Sequence, residues 1–320
     1  MIKINPTETI DVSFSSYIKD RKMKTELHME GGIPDYAYGP DFALRQKIKA
    51  IPGIFPLFKA ITNQYVPYIK QQTNLQSLKV GPNQFPDIYE MVVDCARRLG
   101  IGIPTVFIEP SPSEINACTY AFEDNAPMII ITSALLERFT AGEVKSVIGH
   151  ECGHIHNNHG IYNTAVTVIL NALAIGFPGI QQILNLVSRP LQYALLAWSR
   201  AAEVTCDRAG IICCDDVNDE ISGKSKFLYG AAFNRSSINI DAILKQYEMM
   251  RATPVRLLEL GADHPVAIRR IFADKEFINS EILYQWRPEW KTPGMKLTNK
   301  QELDARCEKY IGVIKSDKRR

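Results

Sequence analysis

Apolar residues are spaced in two ways along this chain, and the switches between them predict its elements. Within "DIYEMVVDCARRLG", Ile88, Met91, Val92, Cys95 and Leu99 share one helical face, and Gly100 supplies a stop. The period then shortens. "PTVFIEP" and "INACTYAF" read as strands, "EDNA" as a turn, and "PMIIITS", apolar throughout, as a buried strand. Thr132 or Ser133 can cap a helix starting at Ala134. The helical period is back in "TAGEVKSVIGHECGHIHNNH", where Thr140 followed three residues later by Glu143 is a capping-box signature. Residues 161–187 form an apolar stretch cut at "GFPG", which predicts a helical hairpin turning at Phe177–Pro178. "PLQYALLAWSRAAEVTCDRAGIICC" predicts a long helix, with Pro190 at a permitted early position. Residues 222–274 read as helical, with the last clear helix starting near Pro265, and 299–315 as one more helix.

Residues 1–80 lack this regularity. Ser15 to Asp41 is polar and turn-rich, and prolines at 52, 56 and 67 are expected to break the helical stretches near 42–75. The expected organisation is an N-terminal extension (1–85), a catalytic domain (86–275) and a C-terminal tail (276–320). The expected class is α+β, mostly helical, with a small sheet.

Composition narrows the partners. The chain has 320 residues, 46% of them hydrophobic and 22% charged, as in a soluble globular protein with a sizeable core. A net charge of +2 gives no case for nucleic acid, and the basic "KSDKRR" reads as a solvated tail. The seven cysteines, an odd number with Cys213 beside Cys214, make a poor disulfide framework, and the N-terminus has no basic start followed by an apolar core. Both point to the reducing cytoplasm. The uninterrupted run from Thr164 to Ile175 falls short of the roughly 20 apolar residues a spanning helix needs. Peripheral contact with a bilayer stays open. Nothing in the sequence indicates an oligomeric state.

The chemistry gathers in "VIGHECGHIHNNHG", which holds four of the six histidines. His150, Glu151 and His154 form HExxH. On a helix the two imidazoles lie on one face and can bind one metal ion, with Glu151 in reach of a water there. Gly153 leaves room for a close backbone approach. Catalytic zinc usually takes three protein ligands. A metzincin would carry histidine and glycine where Gly160 and Asn157 stand. His156 and His159 sit at the wrong helical angle, which makes them exposed or supporting residues. Glu203 on the long helix is the expected third ligand. Arg200 and Asp207 share its face, and Asp207 is suited to accept an imidazole N–H. Cys152 and Cys206 read as packing residues directed away from the metal. Two alternatives remain: a deformylase-like amide hydrolase with Cys118 as third ligand, and a zinc-bearing chaperone or assembly factor with repressed proteolysis.

These motifs resemble the HtpX-like zinc metallopeptidase family, which includes the bacterial heat-shock protease HtpX and the eukaryotic CAAX prenyl endoprotease. The similarity lies in "NACTYA", in HExxH, in SRxxExxxD at Ser199, Arg200, Glu203 and Asp207, and in His264-Pro265 followed by Arg270. It spans roughly 86–275. The membrane-spanning helices of some members are not evident, Cys206 replaces the usual alanine, and the first 80 residues match nothing in the pattern. The resemblance implies a gluzincin fold, one zinc ion and metalloendopeptidase activity on protein or peptide substrates. It also implies that His264 and Arg270 approach the cleft and stabilise the oxyanion. Glu151 would then be the general base. The strand Asn116, Ala117, Cys118, Thr119, Tyr120, Ala121 is expected to be a sheet edge beside the active-site helix, holding extended substrate through its backbone. The 161–187 stretch is expected to be a lid, a core hairpin or a membrane contact.

Overall fold

The computed structural model describes residues 28–30, 32–122, 125–175, 188–229, 239–250, 260 and 264–312. Its first elements, β1 (Met29–Glu30) and β2 (Ile33–Pro34), pair antiparallel around Gly32, whose φ of 81° suits a residue without Cβ. This hairpin delivers Tyr36 and Tyr38 into the main core, so the described end of the polar N-terminal stretch is packed in place. Next comes α1 (Gly39–Lys49). The following α2 (Ile54–Gln76) is one 23-residue helix, where three prolines predict breaks. Pro52 precedes it, and Pro56 lies in its first turn, where no hydrogen bond is lost. Pro67 is tolerated inside because Phe58, Ile61 and Tyr65 bury one side of the helix in a second core.

Short β3 (Leu78–Lys79) leads to α3 (Pro86–Leu99), which ends at Gly100 in the left-handed conformation. β4 (Thr105–Glu109), β5 (Ala117–Phe122) and β6 (Asn125–Thr132) complete a four-stranded sheet in the order β3-β4-β6-β5. The apolar strand, β6, is interior and runs parallel to β4; β5 pairs antiparallel with β6 and is an edge, as expected.

Helices follow: α4 (Ser133–Arg138), α5 (Ala141–His156), α6 (Gly160–Ile175), α7 (Arg189–Cys213), α8 (Val217–Tyr229), α9 (Ile240–Met250), α10 (Ala267–Ile278), α11 (Glu281–Trp286) and α12 (Lys300–Ile311). The expected turn at Phe177–Pro178 and the basic tail lie outside the described residues. Among those described, no helix is long and apolar enough to cross a membrane. The main core wraps α5, joining Ile148 and Cys152 to Val92 of α3, Ile129 of β6 and Ala209 of α7.

Candidate metal centre

The site begins with the start of α5. Thr140 Oγ1 accepts the Glu143 N–H, and Glu143 Oε2 accepts the Thr140 N–H at 2.8 Å, the capping box read from the sequence. Glu143 is fully buried and also accepts from Lys226 Nζ and Ser222 Oγ, both at 2.5 Å. These contacts tie α5 to α8. One turn apart on α5, Gly149 and Gly153 face α7. A Cβ on Gly149 would run into Cys213 Cβ, and one on Gly153 would lie 2.7 Å from Ala209 Cβ. The two backbones therefore meet at a separation that only glycine allows.

That approach brings Glu203 to the histidines. His150 Nε2 lies 3.5 Å from Glu203 Oε2, and His154 Nε2 lies 3.5 Å from Glu203 Oε1. All three residues are buried. Behind His150, Nδ1 meets Asp207 Oδ1 at 3.0 Å, the contact expected for Asp207. Arg270 braces both carboxylates: its Nε and Nη2 reach Asp207 at 2.9 and 2.5 Å, and Nη1 reaches Glu203 Oε2 at 2.9 Å. Lys224 adds a 3.1 Å ion pair to Asp207. His264 Nε2 stands 3.6 Å from Glu203 Oε1, with its side chain 56% exposed. Arg200 is buried and directed at the Leu260 carbonyl, 3.4 Å away, while Arg270 is the arginine that meets Glu203.

Electrostatics follow from these contacts. Burial alone would lower the His150 pKa, but Glu203 and Asp207 outweigh it and push it up to about 10. Burial would raise Glu203, yet His264, Arg270 and His150 hold it well below the carboxylate range. Asp207 is likewise held low against burial by Arg270 and Lys224. The space between the rings and the Glu203 carboxylate thus favours a positive charge. Two imidazole nitrogens facing the oxygens of one carboxylate are a zinc donor set, so these residues fit the ion that the sequence implies.

Cys206 departs from its expected place. Its Sγ lies with His150 and His154 in the one group of potential ligand atoms found close together among the described residues, all within 4.8 Å of one another. The Glu203 oxygens face the two Nε2 atoms directly, whereas Cys206 Sγ sits 3.6 Å from His159 Nδ1, which itself contacts the Nδ1 side of His154. Burial, reinforced by Glu203, also keeps the Cys206 thiol protonated. Cys118 is outside that group, and burial with Glu151 nearby raises its thiol to about 12.

Thr119 on β5 donates its hydroxyl to Glu151 Oε2 at 2.6 Å, an anchoring role that strand periodicity alone did not reveal. Ala117, which opens that edge strand, and Asn116 just before it line a cavity of about 310 Å³ with Val147, Glu151, Phe227 and His264. His156 is buried against the Tyr36 hydroxyl at 3.0 Å. His159 is fully buried, its Nδ1 placed 3.1 Å from His154 Nδ1. Helical angle fails for His159 because α5 stops at His156. Asn158 then takes a φ of 55°, and the turn carries His159 back beneath His154.

A family model described as Peptidase family M48 matches residues 82–276. The chain is 31% identical over 212 residues to the plastoglobule-localized metallopeptidase 48, chloroplastic, of Arabidopsis thaliana, covering 65% of this chain and 60% of that protein. It is 37% identical over 109 residues to the protease HtpX homolog 1 of Sulfurisphaera tokodaii, covering 33% of this chain and 34% of that one. The chain thus spans less than two thirds of the length of these relatives. The crystal structure of S. mikatae Ste24p is similar at a TM-score of 0.40 and 17% identity, over 73% of this chain and 61% of that one.

Proposed function

Since this chain belongs to peptidase family M48, we propose that it is a zinc-dependent endopeptidase acting on protein or peptide substrates. The observation that carries this reading is the approach of His150 Nε2 and His154 Nε2 to the two oxygens of Glu203, 3.5 Å each. His150, His154 and Glu203 would hold the ion. Bound zinc supplies Lewis acidity and makes water a nucleophile at neutral pH.

The remaining chemistry belongs to side chains of the chain itself. Glu151, adjacent to the first ligand, takes the proton from water and returns it to the leaving amine. The Thr119 hydroxyl fixes the rotamer of Glu151 through its 2.6 Å bond. Asp207 accepts the N–H of His150 and leaves Nε2 as the donor. Arg270 keeps Asp207 and Glu203 charged and oriented, and His264, at the exposed rim, is available to an oxyanion. Substrate would add to the edge of β5 near Asn116 and Ala117, its backbone paired as a further strand. The seven free cysteines suit a reducing compartment. The plastoglobule location in one relative's name favours peripheral contact with a lipid surface there.

The test is metal analysis of the purified protein together with cleavage of casein and a peptide library. We expect zinc bound by the wild type, cleavage within chains, and no cleavage by Glu151→Gln. Zinc retained with no Glu151-dependent cleavage would favour the chaperone reading instead.

A further inference from the structure

Outside the donors to the ion, a second buried chain of polar groups runs from α1 to His154. Asp41, in the first turn of α1, is 1% exposed and lies before the family-matched region. Its carboxylate accepts from Trp198 Nε1 at 2.9 Å and Thr205 Oγ1 at 2.7 Å, and it meets His159 Nε2 at 3.0 Å. A carboxylate only accepts, so the proton of neutral His159 stays on Nε2. His159 Nδ1 then carries a lone pair, and it faces His154 Nδ1 at 3.1 Å. The N–H in that contact belongs to His154. With its proton held at Nδ1, His154 has a lone pair at Nε2, the nitrogen that faces Glu203. Asn163 shares the same Nδ1 at 2.9 Å, and its amide oxygen and nitrogen are interchangeable by rotation. The structure places its Nδ2 there, and the amide rotated to turn its oxygen toward the proton is the arrangement this tautomer requires.

We propose that Asp41 and His159 are positioning residues for the metal site: Asp41 fixes the tautomer and plane of His159, and His159 fixes those of His154. This rests on the reading of His154 as a ligand. The two histidines that would hold the ion are thus oriented by different devices. His150 has a carboxylate against it directly, at 3.0 Å, whereas His154 has an imidazole with a carboxylate one step behind. The outermost group comes from a segment preceding the region shared with the family, which makes residues 39–49 a working part of the centre.

The experiment measures zinc affinity of the full chain by chelator competition, alongside the thermal midpoint of the metal-free protein. His159→Phe removes the acceptor and is expected to weaken zinc binding about 10- to 100-fold, with Asp41→Asn losing less. The double variant should bind no more weakly than His159→Phe, because Asp41 acts only through His159. A purely structural role would lower the metal-free midpoint and leave affinity near that of the wild type. Nitrogen NMR of histidine-labelled, zinc-loaded wild type needs no variant, and should show His154 protonated at Nδ1 and His159 at Nε2. Affinities of both variants within about twofold of wild type, His159 protonated at Nδ1, or a loss confined to Asn163→Ala would each overturn the proposal. Zinc binding untouched by His154→Ala would overturn the ligand reading itself, and is a distinct result.

Discussion

Glu151 and Glu203 line one cavity, and the proposed function gives them opposite duties that single substitutions separate. Glu151→Gln keeps the shape and removes the base; we expect zinc to be retained and kcat to fall by roughly 10²–10⁴-fold. Thr119→Val should lower kcat by less, with KM unchanged, because it frees the Glu151 carboxylate from its 2.6 Å anchor without removing it. Glu203→Gln should release zinc, measured as metal content after dialysis. Cys206→Ala and Cys118→Ser should retain it, and zinc lost from Cys206→Ala with Glu203→Gln still loaded would make the sulfur the ligand. HExxH puts the two proposed histidine donors on one helical face by periodicity, whereas the proposed third, Glu203, 49 residues past His154, was legible only together with HExxH and the resemblance carried by SRxxExxxD. Thr119, His159 and Asp41 were hidden for a different reason. Each acts through a contact made by a turn or a distant segment, and no local period encodes it.

At the scale of elements, α5 is held by its cap and its glycines. Thr140→Ala removes one bond of the capping box and is expected to cost about 1 kcal/mol in urea unfolding. Glu143→Ala should cost more, about 3–5 kcal/mol, because it also leaves Lys226 buried without its carboxylate. Gly149→Ala places a methyl against Cys213 and must push α5 from α7, so we expect weaker zinc binding as well as lower stability. The helix, its cap and the three strands near it were all readable, because α5 and the sheet satisfy local propensity and burial together. The unbroken α2 was not. Proline signals a break locally, and only the packing of Phe58, Ile61 and Tyr65 shows why Pro67 is carried.

For the whole molecule, acid response is the property to test. Burial would raise Asp41, but His159, which carries a charge only once acid protonates it, and the hydrogen bonds from His159 and Thr205, with Arg45 nearby, hold it down to about 2 against an ordinary 3.8. The folded value lies below the unfolded one, so this stability is present above pH 3.8 and is lost as pH falls through 2. The difference is worth roughly 2 kcal/mol. Asp41→Asn should be destabilised by about that much at pH 7, and its gap to wild type in urea midpoint should close between about pH 4 and pH 2. A chain beginning at residue 82 should lack a sharp thermal transition, because Tyr36 and Tyr38 leave the main core and Phe58, Ile61 and Tyr65 leave the second.

The sequence by itself determined the HExxH helix, its cap and the apolar strand beside it, because each is written in spacings of a few residues. Tertiary structure decided which of several nearby groups meet. It set Arg270 on Glu203 in place of Arg200, brought Cys206 near the histidines, and ran an N-terminal aspartate to His154 through His159. Such contacts join positions far apart in the chain, and the packing of α1, α5, α7 and α10 fixes them where no periodicity can.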